Sequence, residues 1–205
     1  MGPAFWAEPV NAVTNFAFIL AAVFVALAWR NSTHRSAAVL FLGIWIGIIG
    51  IGSFLFHTFA TRWAAIADSV PILVFILAYL YLALRHFLGL PIWAGAVISL
   101  AFVPASIAVV PLIAPMVGSS AGYVPALLTI FIVGFLMLGR DRRVAVGLLI
   151  TAGIFLASIG FRIADEPVCK TFPIGTHFIW HMLNAVVLYR LTMIYHRRHE
   201  GIVPQ

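Results

Sequence analysis

His177 and His181 stand four residues apart, and so do Ser53 and His57. On a helix each pair shares one face. Two imidazoles at that spacing can hold one metal ion from one side, as they do in HExxH zinc sites. A third imidazole from another helix, His57, completes a three-histidine set with an open fourth position, the form that catalytic zinc takes and structural zinc does not. Water held there becomes a nucleophile near neutral pH. Asp68, eleven residues after His57, offers a carboxylate that need not be a ligand and can move protons. Ser53 offers a hydroxyl to the developing oxyanion of an attacked carbonyl. Together these parts describe metal-assisted hydrolysis.

Three separate segments must bring these five side chains together, and composition says what they are. The chain has 205 residues, 63% of them hydrophobic and 9% charged, where a soluble domain carries about 25% charged. Apolar runs long enough to cross a bilayer recur along it. The reading is an all-α polytopic membrane protein, a bundle of seven transmembrane helices. The expected spans are Asn11–Trp29, Ala37–Phe56, Ala64–Leu84, Ile92–Ile113, Tyr123–Leu138, Val144–Phe161 and Ile174–Tyr195. No low-complexity segment or internal repeat interrupts them, so residues 1–205 read as one domain. Met1 to Trp6 lack the basic start of a cleavable signal peptide. The single cysteine, Cys169, rules out an internal disulfide and a Cys-based zinc site.

Nine of the twelve Lys and Arg residues fall on one side of this alternation: Arg30, Arg35, Arg85, Arg140, Arg142, Arg143, Arg190, Arg197 and Arg198. Arg62, Arg162 and Lys170 fall on the other. Basic residues mark the cytoplasmic side. The N-terminus is therefore expected outside and the C-terminus inside, and the formal charge of +6 reads as orientation, not as nucleic-acid binding. With that orientation, Ser53, His57, Asp68, His177 and His181 all lie at the outer ends of their helices. The other histidines (His34, His86, His196 and His199) fall at the inner side. Ionisable groups at the edge of a span are costly and are functional-site hypotheses by default. A substrate reaching this depth is a lipid.

Taken singly, each residue has a plainer reading. A histidine at a helix end is most often interfacial or hydrogen-bonded. Asp68 reads as a helix N-cap with Pro71 in the first turn. Ser53 can bond a backbone carbonyl or pack beside Gly50 and Gly52. Trp180 reads as an interface anchor, and Asp165 and Glu166 as a local ion pair or a solvated loop.

The segments Gly52-Ser53-Phe54-Leu55-Phe56-His57, Asp68 with Pro71, and His177-Phe178-Ile179-Trp180-His181 resemble the alkaline ceramidases, in the wider group of seven-helix hydrolases that includes the adiponectin-type receptors. Glu8-Pro9-Val10-Asn11-Ala12-Val13-Thr14-Asn15 is similar to the family's first-helix start. The resemblance implies Zn²⁺ on His57, His177 and His181, proton handling by Asp68, and help from Ser53 at the metal or oxyanion. It implies hydrolysis of the N-acyl bond of ceramide. In eukaryotic members an acidic segment, D-W-C-E-x-N, precedes the first helix and helps bind Ca²⁺. That segment is not found here, only Glu8 and Asn11 remain of its neighbourhood, and tightly held Ca²⁺ is not expected. Cys169 resembles one half of a family cysteine pair.

A zinc-dependent lipid amidase leads these readings, acting on ceramide or another N-acyl lipid. A seven-helix lipid receptor with a structural zinc and little turnover is the alternative, although no long tail or domain offers to relay a signal. A haem carrier fits poorly, because His57, His177 and His181 are one histidine more than a bis-His haem uses. Minimal loops point to a bacterial cytoplasmic membrane, with the site toward the extracytoplasmic side. In intact cells a membrane-impermeant thiol reagent should label Cys169, while an Asp141→Cys variant should stay unlabelled at that position until the membrane is opened. The reverse pattern would overturn the orientation.

Overall fold

The computed structural model describes Trp6, residues 8–199 and Gly201. Its elements are α1 (Pro9–Thr14), α2 (Phe16–Arg30), α3 (Ala37–Phe59), α4 (Arg62–His86), α5 (Ile92–Val117), a 3₁₀ turn (Gly118–Tyr123), α6 (Val124–Met137), α7 (Arg142–Cys169) and α8 (His177–His199). No strand occurs among the described residues. Among the described residues six helical stretches are long and apolar enough to cross a bilayer. The expected fourth and fifth spans share one of them, the 46 residues of Ile92–Met137, which stops one residue short of the expected Leu138, and the 3₁₀ turn marks the break between them.

Contacts order the ends of the bundle. Arg140 Nη1 donates to the Leu88 carbonyl at 2.9 Å, and Asp141 pairs with Arg198 at 3.2 Å. The end of α4, the end of α6, the start of α7 and the end of α8 therefore lie together. At the other end, the Arg162 guanidinium of α7 stacks on Tyr123 and on Trp180 of α8, 5.4 and 5.2 Å from the ring centroids. The core between the ends is made by residues such as Val25, Leu42, Ile46, Phe75, Leu148 and Phe155. Large apolar side chains such as Leu100, Leu112 and Met116 of α5 face outward, as a lipid-facing helix requires.

Several boundaries move in ways that matter for the chemistry. The first span is broken at Asn15, which is buried and whose Nδ2 donates to the Asn11 carbonyl at 2.8 Å. α3 runs on to Phe59 and ends on Ala60 in the left-handed region, φ 50°. That left-handed stop is a common helix ending, and it leaves a two-residue link, Ala60-Thr61, before α4. His57 thus sits in the last turn of α3. α4 starts at Arg62, so Asp68 lies in its second turn and is not an N-cap. α7 continues past the expected Phe161 to Cys169. Asp165 is accordingly helical, neither a loop residue nor half of an ion pair with Arg162, and it reaches across to α8.

The α3–α4 packing has one tight point. Pro71 lies inside α4. Having no N–H, it cannot bond the carbonyl four residues back, which is that of Ala67. Gly52 lies against the same carbonyl, and a Cβ added at Gly52 would collide with Ala67 O and C. The Pro71 carbonyl itself accepts from Trp45 Nε1 at 2.8 Å. The glycine therefore sets how close Ser53, next to it, comes to Asp68, next to Ala67. Gly52→Ala should cost about 1–3 kcal/mol, as overpacking does. Gly153→Ala, where an added Cβ meets nothing within 4 Å, should be neutral or stabilising by up to about 1 kcal/mol. Thermal unfolding in detergent checks both. Equal stabilities for the two variants would show that the backbones are not in contact at Gly52.

Candidate metal and catalytic centre

His57 from α3 and His177 and His181 from α8 converge. One ring nitrogen of each lies within 4.8 Å of the corresponding nitrogens of the other two. His57 and His181 are buried, and His177 is half-buried.

The partners of the three Nδ1 atoms say which nitrogens face inward. His57 Nδ1 lies 2.7 Å from Glu8 Oε2. Asn11 Nδ2 donates to the same oxygen at 3.1 Å. The hydrogen bond from His57 holds the Glu8 carboxyl down at about 2, against the upward push of burial. Glu8 is therefore an ionised acceptor, and His57 carries its proton on Nδ1. His181 Nδ1 lies 3.2 Å from Thr14 Oγ1. The single Thr14 proton is directed at the carbonyls of Val10 and Asn11, at 2.8 and 3.1 Å. Thr14 Oγ1 is then placed to accept from His181 Nδ1–H. That leaves His181 Nε2 as a bare lone pair, buried and without a hydrogen-bond partner. Asp165 Oδ2 lies 3.9 Å from His177 Nδ1. Asp165 Oδ1 accepts from the backbone N–H of Thr176 and His177, at 2.7 and 2.9 Å, and so caps α8 from a neighbouring helix. The turn that permits this passes through Gly175 at φ 65°, where an added Cβ would strike the Asp165 carboxylate.

Histidines that bind metals usually give their second ring nitrogen to a carboxylate or another acceptor, which fixes tautomer and orientation. Here all three have such a neighbour. A buried imidazole nitrogen without a partner is costly, and one metal ion would satisfy the set. His57, His177 and His181 could hold such an ion, and zinc is compatible with a donor set of three imidazoles.

Ser53 and Asp68 line one end of an elongated apolar cavity that also reaches Trp180 and Asn184. Ser53 lies beside the Asp68 side chain, whose Oδ1 is buried and without a hydrogen-bond partner. The cavity follows α4 from Asp68 to Ala83, about 22 Å at the helical rise. Phe75, Ile130, Leu148 and Leu191 are among its walls.

All five residues singled out in the sequence are thus found at one end of the bundle. Trp180 does not fit its expected place as an interface anchor. It is 4% exposed, packs between Tyr123 and the histidine rings, and carries Arg162 on its face. Its position three residues after His177 was the available signal, because that spacing puts it on the same helical face. Thr14 was missed altogether. Glu8, a remnant of the family's calcium-binding neighbourhood, faces His57, and Asp165, read as an ion-pair or loop residue, caps α8. Cys169 is a free thiol that lies 3.7 Å from Asp165 Oδ1.

A helical bundle with membrane-length helices and a three-histidine cluster over an apolar cavity belongs to a narrow class of proteins, and the family comparison is specific. The Ceramidase family model matches residues 3–200. The chain belongs to the ceramidase family, as the motif resemblance implied, and this membership supports a ceramidase-like hydrolase. A search of curated proteins finds no match.

The acceptors behind the imidazoles should be measurable. Thr14→Val and Glu8→Ala should each weaken metal binding by about 10–100-fold, the usual effect of losing an outer partner. Competition with a chelator of known affinity gives the number. Wild-type affinity in both variants would show that the rings are held by their own packing.

Proposed function

We propose that this protein is a zinc-dependent amidase that cleaves the N-acyl bond of ceramide or a related N-acyl lipid, giving a sphingoid base or amine lipid and a free fatty acid. The observation that carries the proposal is the juxtaposition of three inward imidazole nitrogens with Asp68 and Ser53 at one end of an apolar cavity. A hydrolase for a soluble substrate has no use for such a cavity, and a purely structural metal has no use for a buried carboxylate oxygen without a partner.

In this reading His57, His177 and His181 hold the zinc. When bound, zinc supplies Lewis acidity and brings the ionisation of water toward neutral pH. The cavity takes the acyl chain and so delivers the amide carbon to the end that Asp68 and Ser53 line. Asp68 Oδ1 takes a proton from the attacking water and returns it to the departing nitrogen, as a general base and then a general acid. The C–O bond to the water oxygen forms, and the C–N bond breaks. The Ser53 hydroxyl turns from Asp68 to the carbonyl oxygen, where negative charge develops.

The whole of 1–205 is read as one domain with seven crossings. Two contacts support the count, since Arg140 meets Leu88 at one end of α6 and Arg162 meets Tyr123 at the other. α6 is then a short crossing, extended by the 3₁₀ turn before it. The basic bias supports an N-terminus outside and a site toward the extracytoplasmic face, and the minimal loops favour a bacterial inner membrane.

Asp68→Asn preserves shape and removes the proton acceptor. Hydrolysis of N-acyl lipids, followed by mass spectrometry, should fall by about 10²–10⁴, with zinc content unchanged. Ser53→Ala should fall less. An Asp68→Asn protein that turns over its preferred lipid at the wild-type rate would remove Asp68 from the chemistry.

A further inference from the structure

Arg190 is an unusual residue for its place. It lies on α8, nine residues before the helix ends at His199, about 13 Å along the axis and well inside a membrane-length helix. The positive-inside bias accounts for arginines at helix ends but not for one at this depth, where a charge is expensive and by default functional. Its Nε donates to Thr151 Oγ1 of α7 at 3.2 Å. Thr151 is fully buried and passes its own proton to the Gly147 carbonyl at 2.7 Å. Among the described residues Thr151 is the one hydrogen-bond partner of Arg190, and the rest of its five-donor fork meets no acceptor among them.

The register of α7 against α8 places two more cations on the same groove. Thr151 meets Arg190, and a Cβ added at Gly147 would meet Ile194 at 3.2 Å. Extending that register by one turn leads to Arg143 on α7 and Arg197 on α8. Arg143, Gly147 and Thr151 share one face of α7, and Arg190, Ile194 and Arg197 share one face of α8. Arg143 and Arg197 are exposed. Asp141, the described acid at this end, is already engaged. Its Oδ2 pairs with Arg198 at 3.2 Å, and its Oδ1 caps α7 through the N–H groups of Arg143 and Val144, both at 3.1 Å. Beside the cations the surface is apolar, with Val146, Ile150 and Val186 exposed.

We propose that this groove, at the end of the bundle opposite the histidines, binds the headgroup phosphate of an anionic phospholipid. Arg190 would take the phosphate by its free fork, the geometry that suits a planar guanidinium. Arg143 and Arg197 would lie at the headgroup margin, and Val146, Ile150 and Val186 along the acyl chains. The depth of Arg190 and its apolar flanks select a lipid over free phosphate. The lack of an unengaged described carboxylate selects against zwitterionic lipids, whose ammonium would face three guanidinium groups. Basic pockets between transmembrane helices are a recurrent setting for such headgroups. The inference needs the helices to lie in a membrane but does not depend on the hydrolase reading.

The test uses the full chain, delipidated in a nonionic detergent, with thermal unfolding and native mass spectrometry as readouts. Phosphatidylglycerol should raise the melting temperature by several degrees and leave a bound lipid adduct, because a ligand of the native state stabilises it. Phosphatidylcholine and inorganic phosphate should do neither. Arg190→Gln should abolish the shift and the adduct, and Arg190→Lys should keep part of both. Should Arg190→Gln fail to fold, the double variant Arg143→Gln/Arg197→Gln, altered only at exposed positions, should weaken phosphatidylglycerol binding at least tenfold. Equal shifts with phosphatidylcholine, a shift reproduced by inorganic phosphate, or wild-type binding in the double variant would overturn the proposal.

Discussion

Three imidazoles cannot point bare nitrogens at one another unless something holds the far side of each ring. That constraint organises this protein. Glu8, from the segment before α1, and Thr14, from α1, back the rings of His57 and His181, while Asp165 of α7 stands behind His177. None of the three partners comes from the helix whose histidine it faces. The broken first helix exists to serve this arrangement. Its turn at Asn15 lets a short α1 lie across α3 and α8 while α2 descends into the bundle. Asp165 contributes twice, because the carboxylate that stands behind His177 also caps the helix on which His177 is the first residue.

The second determinant is a backbone approach. Pro71 leaves the Ala67 carbonyl without its helical partner, and Gly52 lets α3 close onto that same carbonyl. A glycine and a proline on neighbouring helices thereby place Ser53 against Asp68. From there the cavity runs between helices whose outer faces are apolar. Ser53 and Asp68 line one end of it, and most of the remaining lining is apolar, with Tyr79 and Thr129 further along.

Much of this was legible in the sequence. Spacing gave the two helical pairs, Ser53/His57 and His177/His181, because a period of 3.6 residues leaves little choice of face. The alternation of apolar spans put all five at one end, where the fold brings them together. The partners behind the rings were not legible. Thr14 looks like any threonine in an apolar helix, and nothing local to Asp165 says that it will cap a helix beginning twelve residues later. Both depend on how non-adjacent helices pack, which single-sequence periodicity does not encode. Asp68 was read with the wrong plain alternative for a related reason. The short Ala60-Thr61 link lets α4 start earlier than hydropathy suggests, because Arg62 and Trp63 are polar or interfacial yet helical. The fourth and fifth spans were placed by composition, and the 3₁₀ turn between them falls where Gly118, Ser119, Ser120 and Gly122 interrupt the apolar run.

The most direct test of the central claim is the X-ray absorption spectrum of the metal in purified protein. The account expects zinc with a first shell of nitrogen and oxygen only, at about 2.0–2.1 Å, and the outer-shell scattering of three imidazoles. Replacing Thr14 by Val should leave that shell composed as before, because Thr14 orients a ring and does not bind. A sulfur scatterer at about 2.3 Å, or a shell without imidazole scattering, would place the metal elsewhere and contradict the three-histidine centre.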